Sequence, residues 1–529
     1  MSQRLAAAGA LAQLTAEQRL AAGAVTEHLF IEAGPGTGKT TVSAQRFGAQ
    51  RFDPARRLDD RAVVAMSFTR AATHNLAHRV QRLWGAAALA WPHRVVTLDT
   101  IMSDLLHDLL CSGLLVWPNS AALWPDNDVS LDIHDSWASF GGRSWTRTDY
   151  AFSLGGREVQ VRPMYLPQPR SAVPSTTIIP LIRNGVCTHQ DVRDVLEVAL
   201  VVPECADHAR RLLARTMRSL IVDEVFDANV LDLAVIEFAI DAGVDLTLVG
   251  DPWQALYLFR GARPDLIPEL LYRAQVRRLP LTRSFRWRTE SQRELADDLR
   301  QGRAVTLAIV DSRDGLRNLD VVLALRWKNM WELGPGVLPL AFGSFKGGYE
   351  EAAATLLLNH VTRAVFGLDA TYVNEALTAL DIRDRDVPRQ LESAFQGITE
   401  TLSAGDRESV RQGYLQLIQV MGTVTRRPLR APHPAHTGRL ALVQLRLACA
   451  DRFLPGLTVH QAKGREWDAV GIRLTESERT ALAGGLALEN DSHRKLYVAC
   501  TRARCTTVEV RSYATDEPES RGVPPDADP

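Results

Sequence analysis

The sequence predicts an α/β protein built on parallel sheets, and three observations carry that prediction. An apolar run at residues 28–32 leads directly into Ala33-Gly34-Pro35-Gly36-Thr37-Gly38-Lys39-Thr40, and a helix-forming segment follows. Further short apolar strands then alternate with helices, the pattern of a sheet whose strands run the same way through helical crossovers. A second alternation occupies residues 277–345 and 437–510.

Taken in order, Thr15 caps a first helix, and the Leu and Ala residues behind it fall at helical spacing. Strands are expected at 28–32, 62–67 and 95–97, with helices at 70–83 and 101–110. From residue 113 to 175 Trp, Pro, Gly and Arg become frequent. There, residues 150–154 and 157–161 flank Gly155-Gly156 as a β-hairpin. Helices are expected at 190–201 and 207–218, then strands at 219–222 and 245–249. Residues 348–421 read as amphipathic helices, 426–435 as a Pro-rich connection, and 516–529 as a disordered acidic tail.

Composition narrows the function classes. Sixty-one Lys and Arg against 62 Asp and Glu exclude a uniformly basic nucleic-acid binder but leave room for a local basic groove. The six cysteines form no Cys-x-x-Cys pair, which gives no support for a zinc or iron–sulfur centre and fits a reducing compartment. No signal peptide and no apolar run of membrane-spanning length is read, so no membrane partner and a cytoplasmic location are expected.

The chemistry begins at residues 33–41. A glycine-rich loop between a strand and a helix turns backbone N–H groups toward one anion. Lys39 can reach the β- and γ-phosphates, and Thr40 can offer its hydroxyl to Mg²⁺. A metal carboxylate is supplied by Leu220-Ile221-Val222-Asp223-Glu224, an apolar strand whose acids emerge where ligands of parallel sheets bind. Asp223 is the expected Mg²⁺ ligand and Glu224 the residue that positions and polarises the attacking water.

With these residues in view, the chain resembles superfamily 1 helicases of the UvrD/Rep/PcrA type. Leu14-Thr15-Ala16-Glu17-Gln18 is similar to the Q motif, which would place Gln18 on the adenine edge. Ser67-Phe68-Thr69 and Thr97-Leu98-Asp99-Thr100-Ile101 resemble motifs that contact single-stranded DNA. Asp223 to Asp227 resembles motif II, with Phe226 where glutamine is usual. Val249-Gly250-Asp251-Pro252-Trp253-Gln254 followed by Tyr257-Leu258-Phe259-Arg260-Gly261-Ala262 resembles motif III, implying a γ-phosphate sensor at Gln254 and base contacts at Tyr257, Phe259 and Arg260. Ser284-Phe285-Arg286 resembles motif IV, implying Phe285 on adenine and Arg286 on phosphate.

The run from Thr458 through His460, Gly464, Arg465 and Glu466 to Asp468 resembles motif V, with Gly464 and Glu466 at the nucleotide and His460 at DNA. The segment Leu496-Tyr497-Val498-Ala499-Cys500-Thr501-Arg502-Ala503 resembles motif VI, with Arg502 as a second arginine on the γ-phosphate.

The resemblance implies two RecA-like P-loop NTPase domains, each carrying an insertion. The first would comprise 1–110 and 206–276 around a mixed insertion at 111–205. The second would comprise 277–345 and 437–512 around a small helical insertion at 346–436, with a tail at 513–529. Lys39 would then belong to one domain and Arg286 and Arg502 to the other. ATP and Mg²⁺ are the implied cofactors, and single-stranded or tailed duplex DNA the implied track, read 3′ to 5′, in repair, recombination or replication restart. Any cutting is expected from a nuclease or repair-protein partner. The alternative is an ATP-gated DNA-sensing subunit that regulates a partner nuclease, as in Gabija-type antiphage defence. Two readings stay open from residues alone: Phe68 and Phe259 serve as stacking platforms or as core. Trp137, Arg143, Trp145, Arg147, Tyr150, Phe152, Arg157 and Arg162 form a DNA surface or ordinary packing.

Overall fold

The computed structural model describes residues 14–126, 128–135, 137, 150–164, 175–311, 315–382, 384–449 and 452–512. The chain divides into two compact units. One holds the residues up to Gly302 with Asn374–Arg385 and Leu486–Thr501, and the other holds Arg303–Val373, Asp386–Gly485 and the residues from Arg502 on. Each is an α/β unit around a six-stranded parallel sheet, as the sequence predicts.

In the first unit the chain lays down β1 (His28–Ala33), β2 (Ala62–Ser67) and β3 (Arg94–Thr97). The insertion follows, with β4 (Asp132–His134), β5 (Tyr150–Gly155), β6 (Glu158–Pro163) and β7 (Val186–Thr188). The sheet resumes with β8 (Met217–Asp223), β9 (Asp245–Gly250) and β10 (Arg277–Leu281), and its spatial order is β10-β1-β9-β8-β2-β3. β2 and β8 are buried along their whole length, as strands covered on both faces must be. Alternation then sorts their side chains. Val63, Ala65 and Ile221 pack with Phe47, Leu76 and Val80 of the helices Lys39–Arg51 and Arg70–Trp84. Val64, Met66, Leu220 and Val222 pack on the other face with Ile101, Leu105, Val235 and Ile236, from Leu98–Cys111 and Val230–Asp241. Because all six strands are parallel, the loops after β1, β2, β3, β8, β9 and β10 gather at one edge of the sheet.

The predicted hairpin is present: β5 and β6 pair antiparallel around Gly155 and Gly156, the latter at φ 68°. Its aromatic residues are core. Trp137, Tyr150 and Phe152 are buried. Trp137 Nε1 donates to Tyr150 Oη at 2.7 Å, and Tyr150 in turn donates to Asp191 Oδ1 at 2.8 Å. Asp191 Oδ2 accepts from the Thr188 amide and hydroxyl, both at 2.7 Å. Of the two readings of this region, packing holds for these three rings; Arg157 and Arg162 are exposed, and Arg143, Trp145 and Arg147 lie outside the described residues.

The second unit contains β11 (Ala308–Asp311), β12 (Val321–Ala324), β13 (Val337–Pro339), β14 (Leu454–Thr458), β15 (Trp467–Ile472) and β16 (Ala503–Arg511), in the order β11-β16-β15-β12-β14-β13. The helical stretch expected at 348–421 forms, with Tyr349–Phe366, Glu392–Ser403 and Arg407–Gly422 as its longest helices within that unit. A further helix, Pro434–Cys449, occupies residues that the sequence pattern gives to the second α/β segment. It is fastened by Arg446, fully buried over the Trp331 ring at 4.4 Å, whose guanidinium donates to the Val337, Leu442 and Trp331 carbonyls. Burial without a carboxylate holds that guanidinium down at about 10.

The boundaries differ from the sequence pattern: Asn374–Arg385 and Leu486–Thr501, expected in the second domain and its insertion, group with the first unit, and so do residues 277–302. Residues 277–281 were expected to open the second α/β segment, yet β10 pairs with β1 in the first sheet, Leu279 beside Ile31 and Leu281 beside Ala33. Arg286 therefore belongs to the unit of Lys39, and not to the unit of Arg502. The reason is a contact across the chain: alternating Leu279 and Leu281 complete the small core formed by Ala21, Leu29, Ile31 and Val42. The tail at 513–529 lies outside the described residues.

Candidate active site

The phosphate loop leaves β1 and turns through Gly36 and Gly38, at φ 71° and 87°, into the helix Lys39–Arg51. These left-handed positions are ones that only glycine adopts cheaply. Thr37 is buried, and its hydroxyl donates to the Gly34 carbonyl at 2.9 Å. Gln18 latches the loop from the side: Nε2 donates to the Thr37 carbonyl at 2.9 Å, while Oε1 accepts from the Thr15 amide at 3.0 Å in a capping box. Thr41 is turned toward the next helix, where its hydroxyl accepts from Arg79.

Motif IV closes the loop's other flank. The Phe285 amide donates to the Gly36 carbonyl at 2.9 Å, and the Ser284 hydroxyl to the Pro35 carbonyl at 2.8 Å. A methyl group on Gly36 would stand 2.5 Å from Arg286 Cβ, and one on Gly38 would stand 2.7 Å from Gln18 Nε2. Arg286 is buried and donates to the Thr501 carbonyl at 2.8 Å. Phe285 is 53% exposed, with the Arg283 guanidinium 5.3 Å from its ring centre. Glu17, one residue before Gln18, steadies this turn. Its carboxylate accepts from the Thr282 hydroxyl at 2.7 Å and the Thr282 amide at 2.9 Å, which lowers its pKa.

The acids arrive from the neighbouring strands. Asp223 ends β8 and is buried; Glu224 follows at φ 61°, and its Oε1 lies 3.1 Å from Lys39 Nζ. Phe226, the departure in motif II, fills core beside Phe30 at 6.1 Å. A methyl group on Gly250 would come within 2.8 Å of its ring, so the larger apolar side chain is matched by a glycine on β9. After β9, Gln254 is buried and donates to Asp251 Oδ2 at 2.8 Å. Trp253 packs on Tyr497 with ring centres 4.9 Å apart, and Arg494 Nε donates to the Ala255 carbonyl at 3.0 Å.

Sequence reasoning missed Arg300. It ends the helix Glu290–Arg300 and joins Asp251 Oδ1 at 3.0 Å, Glu32 Oε1 at 3.1 Å and the Tyr497 hydroxyl at 3.4 Å. Burial works against its charge, but Asp251 and Tyr497 prevail and its pKa is raised. Burial likewise raises the Tyr497 phenol, which stays protonated. The one sequence hint was Glu32, an acid at the end of β1 beside the loop, although its side chain is 42% exposed and does not by itself demand a cation.

Apart from His460, the expected DNA-contacting residues lie at the same sheet edge. Phe68 follows β2 and is half-buried against the core, and Thr69 caps Arg70–Trp84. Thr97 ends β3 with its hydroxyl 3.1 Å from that of Thr100. In the loop after β9, Phe259 is 65% exposed and 5.9 Å from Tyr257, with the Arg260 guanidinium 5.2 and 5.5 Å from the two ring centres. Phe68 thus shares core and surface, whereas Phe259 is a surface ring.

His460, Gly464, Glu466 and Arg502 belong to the second unit. Glu466 and Arg502 immediately precede the paired strands β15 and β16; Arg502 is buried, and Glu466 accepts from Arg504 at 3.4 Å. His460 lies in the short helix Val459–Ala462 after β14, and Gly464 has φ 85°.

The residues around the loop fit a magnesium–nucleotide. The two left-handed glycines let the loop turn its backbone N–H groups toward one anion, and a hydroxyl at Thr40 and a carboxylate at Asp223 are the oxygen donors Mg²⁺ prefers. Among the described residues no helix is long and apolar enough to cross a membrane. No curated protein matches the sequence. Residues 14–123 and 182–274 match the family model of the UvrD/REP helicase N-terminal domain, leaving out most of the hairpin insertion. The match takes in every strand of the first sheet except its edge strand β10, and the chain belongs to the UvrD-type superfamily 1 helicases.

Proposed function

We propose that the protein is a DNA-dependent ATPase that moves along single-stranded DNA, 3′ to 5′, and opens tailed duplexes during repair, recombination or replication restart. One observation supports this reading: at the sheet edge where Lys39 meets Glu224 and the Phe285 amide holds the phosphate loop, the loop after β9 carries Gln254 on Asp251 and, further along, Tyr257, Phe259 and Arg260. The family's activity, ATP-dependent unwinding of DNA, points the same way.

In this reading Lys39 exchanges Glu224 for the β- and γ-phosphate oxygens when ATP binds. Mg²⁺, held by Thr40 and Asp223, would neutralise charge across the β- and γ-oxygens. The released Glu224 orients the water that attacks the γ-phosphorus and accepts its proton as the bond to the β-phosphate oxygen breaks. Gln254 senses the γ-phosphate, Arg286 sits on phosphate, and Phe285 and Gln18 border the adenine. Arg502, with Gly464 and Glu466, supplies the second domain's contribution. Phe259, Tyr257 and Arg260, with Phe68, Thr69, Thr97 and His460, hold bases and backbone. Stacking tolerates any sequence, as a motor's track requires.

The test is ATP hydrolysis by the purified chain with and without single-stranded DNA, beside Lys39→Ala. Stimulation by DNA that disappears in the variant supports the reading; hydrolysis indifferent to DNA sinks it. Tailed duplexes of both polarities then test unwinding and direction. The small helical segment between β13 and β14 favours a second reading, a DNA-sensing subunit that regulates a partner nuclease. DNA-stimulated hydrolysis without unwinding would select it.

A further inference from the structure

We propose that Arg300 is a positioning residue that ties the Gln254 loop to the end of β1 and makes hydrolysis answer to DNA. The inference rests on the reading of the chain as a DNA-dependent ATPase.

Asp251 is fully buried, and each of its carboxylate oxygens has a separate task. Oδ2 accepts from Gln254 Nε2 at 2.8 Å; Oδ1 accepts from Arg300 Nη1 at 3.0 Å and from the Trp253 amide at 3.2 Å. The other guanidinium nitrogen, Nη2, donates to Glu32 Oε1 at 3.1 Å. Glu32 immediately precedes the phosphate loop, and a methyl group on Gly34 would stand 3.6 Å from Arg300 Nη1. Arg300 therefore spans the root of the Gln254 loop and the root of the phosphate loop. A planar guanidinium with several fixed donors can serve both carboxylates at once; a lysine ammonium is a point charge that favours one of them.

The same loop continues from Gln254 through Tyr257 to Phe259 and Arg260 within six residues, as two short 3₁₀ turns, Pro252–Gln254 and Leu258–Arg260. A base stacked on Phe259 pulls on a segment whose inner end is Asp251. With Arg300 in place, that inner end is fixed to β1, so a shift at the platform becomes a reorientation of Gln254 and not a drift of the whole loop. Without it, the Asp251 charge is left buried and short of its counter-ion, and the amide it holds loses its reference point. Arg300 acts through Asp251 and Glu32, and not on phosphate.

The experiment measures kcat and KM for ATP at saturating single-stranded DNA for the full chain, Arg300→Gln and Arg300→Lys, each assayed well below its thermal midpoint. Arg300→Gln is expected to lower kcat about tenfold while KM for ATP moves less than about twofold, and Arg300→Lys to recover part of kcat. A wild-type kcat in Arg300→Gln, or kcat and KM failing together with no recovery in Arg300→Lys, overturns the proposal. Should Arg300→Gln not fold, Glu32→Gln, which keeps the Asp251 pair, is expected to lower kcat about threefold with the same unchanged KM, and an unchanged kcat overturns the proposal. A wild-type chain without DNA-stimulated hydrolysis overturns the underlying reading as well. A stimulated wild type beside an Arg300→Gln stimulated by single-stranded DNA to the same extent overturns only the role of Arg300.

Discussion

Lys39 Nζ lies 3.1 Å from Glu224 Oε1, so the cation of the phosphate loop and the acid beyond β8 meet across the site. The contact depends on the φ of 61° at Glu224, a left-handed conformation that costs a glutamate about 1–3 kcal/mol and is kept at functional sites. If Glu224 handles the proton of the attacking water, Glu224→Gln should retain ATP binding and lose hydrolysis by about 10²–10⁴-fold, the usual worth of a general base. Lys39→Ala should lose binding and hydrolysis together. Nucleotide titration beside single-turnover hydrolysis separates the two, and hydrolysis in Glu224→Gln within tenfold of wild type would remove Glu224 from that role.

Gly36 and Gly113 share a φ of 71°, yet their surroundings differ. A methyl group at Gly113 meets nothing within 4 Å, whereas at Gly36 it meets Arg286 Cβ at 2.5 Å and Ser284 Oγ at 2.7 Å. Gly113→Ala should therefore cost only the left-handed backbone strain of about 1–2 kcal/mol. Gly36→Ala should add displacement of motif IV and weaken ATP binding, while Gly113→Ala leaves it unchanged. Equal nucleotide affinity in the two variants would mean that motif IV does not need its seat on the loop.

The first sheet was legible because its central strands β2 and β8 are fully buried and carry continuous apolar runs, and because a strand–glycine loop–helix sequence has few other solutions. The site was legible where motifs lie at strand ends, as Lys39, Asp223 and Gln254 do. What stayed hidden depends on long-range pairing. Arg277–Leu281 looks like any short strand, and only its register beside β1 assigns it to the first sheet. Arg300 carries no local signal, since an arginine closing a helix is ordinarily a solvated charge at a dipole end. The rings of Trp137, Tyr150 and Phe152 sit among arginines in sequence but turn inward in the fold, where Phe152 packs on Trp117 and Tyr150, and Tyr150 joins Trp137 to Asp191.

Phe259 offers most of its surface to solvent, with Arg260 positioned beside its ring. A base stacked there is worth about 1–3 kcal/mol, so Phe259→Ala should weaken single-stranded DNA binding by roughly ten- to a hundredfold. Unstimulated ATP binding and the fold should be unaffected, since an exposed ring carries little packing. The check is fluorescence anisotropy with oligonucleotides of differing sequence. A uniform loss across sequences is expected; wild-type affinity would exclude Phe259 as a platform.

His93 shows how the loops opposite the site sense acid. It is buried, and its Nδ1 accepts from the Val63 amide at 3.0 Å. Burial first, then the Arg51 and Arg218 guanidinia, lower its pKa from 6.5 to about 4. Between these values the unfolded chain binds a proton that the folded chain refuses, so stability rises with pH across that window. The contribution is complete above the ordinary histidine range and is lost as pH falls toward about 4; its size is on the order of 2 kcal/mol. His93→Gln keeps a hydrogen-bond acceptor but cannot titrate. The urea midpoints of wild type and His93→Gln should therefore converge from about pH 7.5 to about pH 4.5, because only wild type carries this loss and every other group titrates alike in both. A difference that stays constant over that range would mean that His93 takes up its proton as readily in the folded chain as in the unfolded one, and that burial and the Val63 amide bond do not hold it neutral.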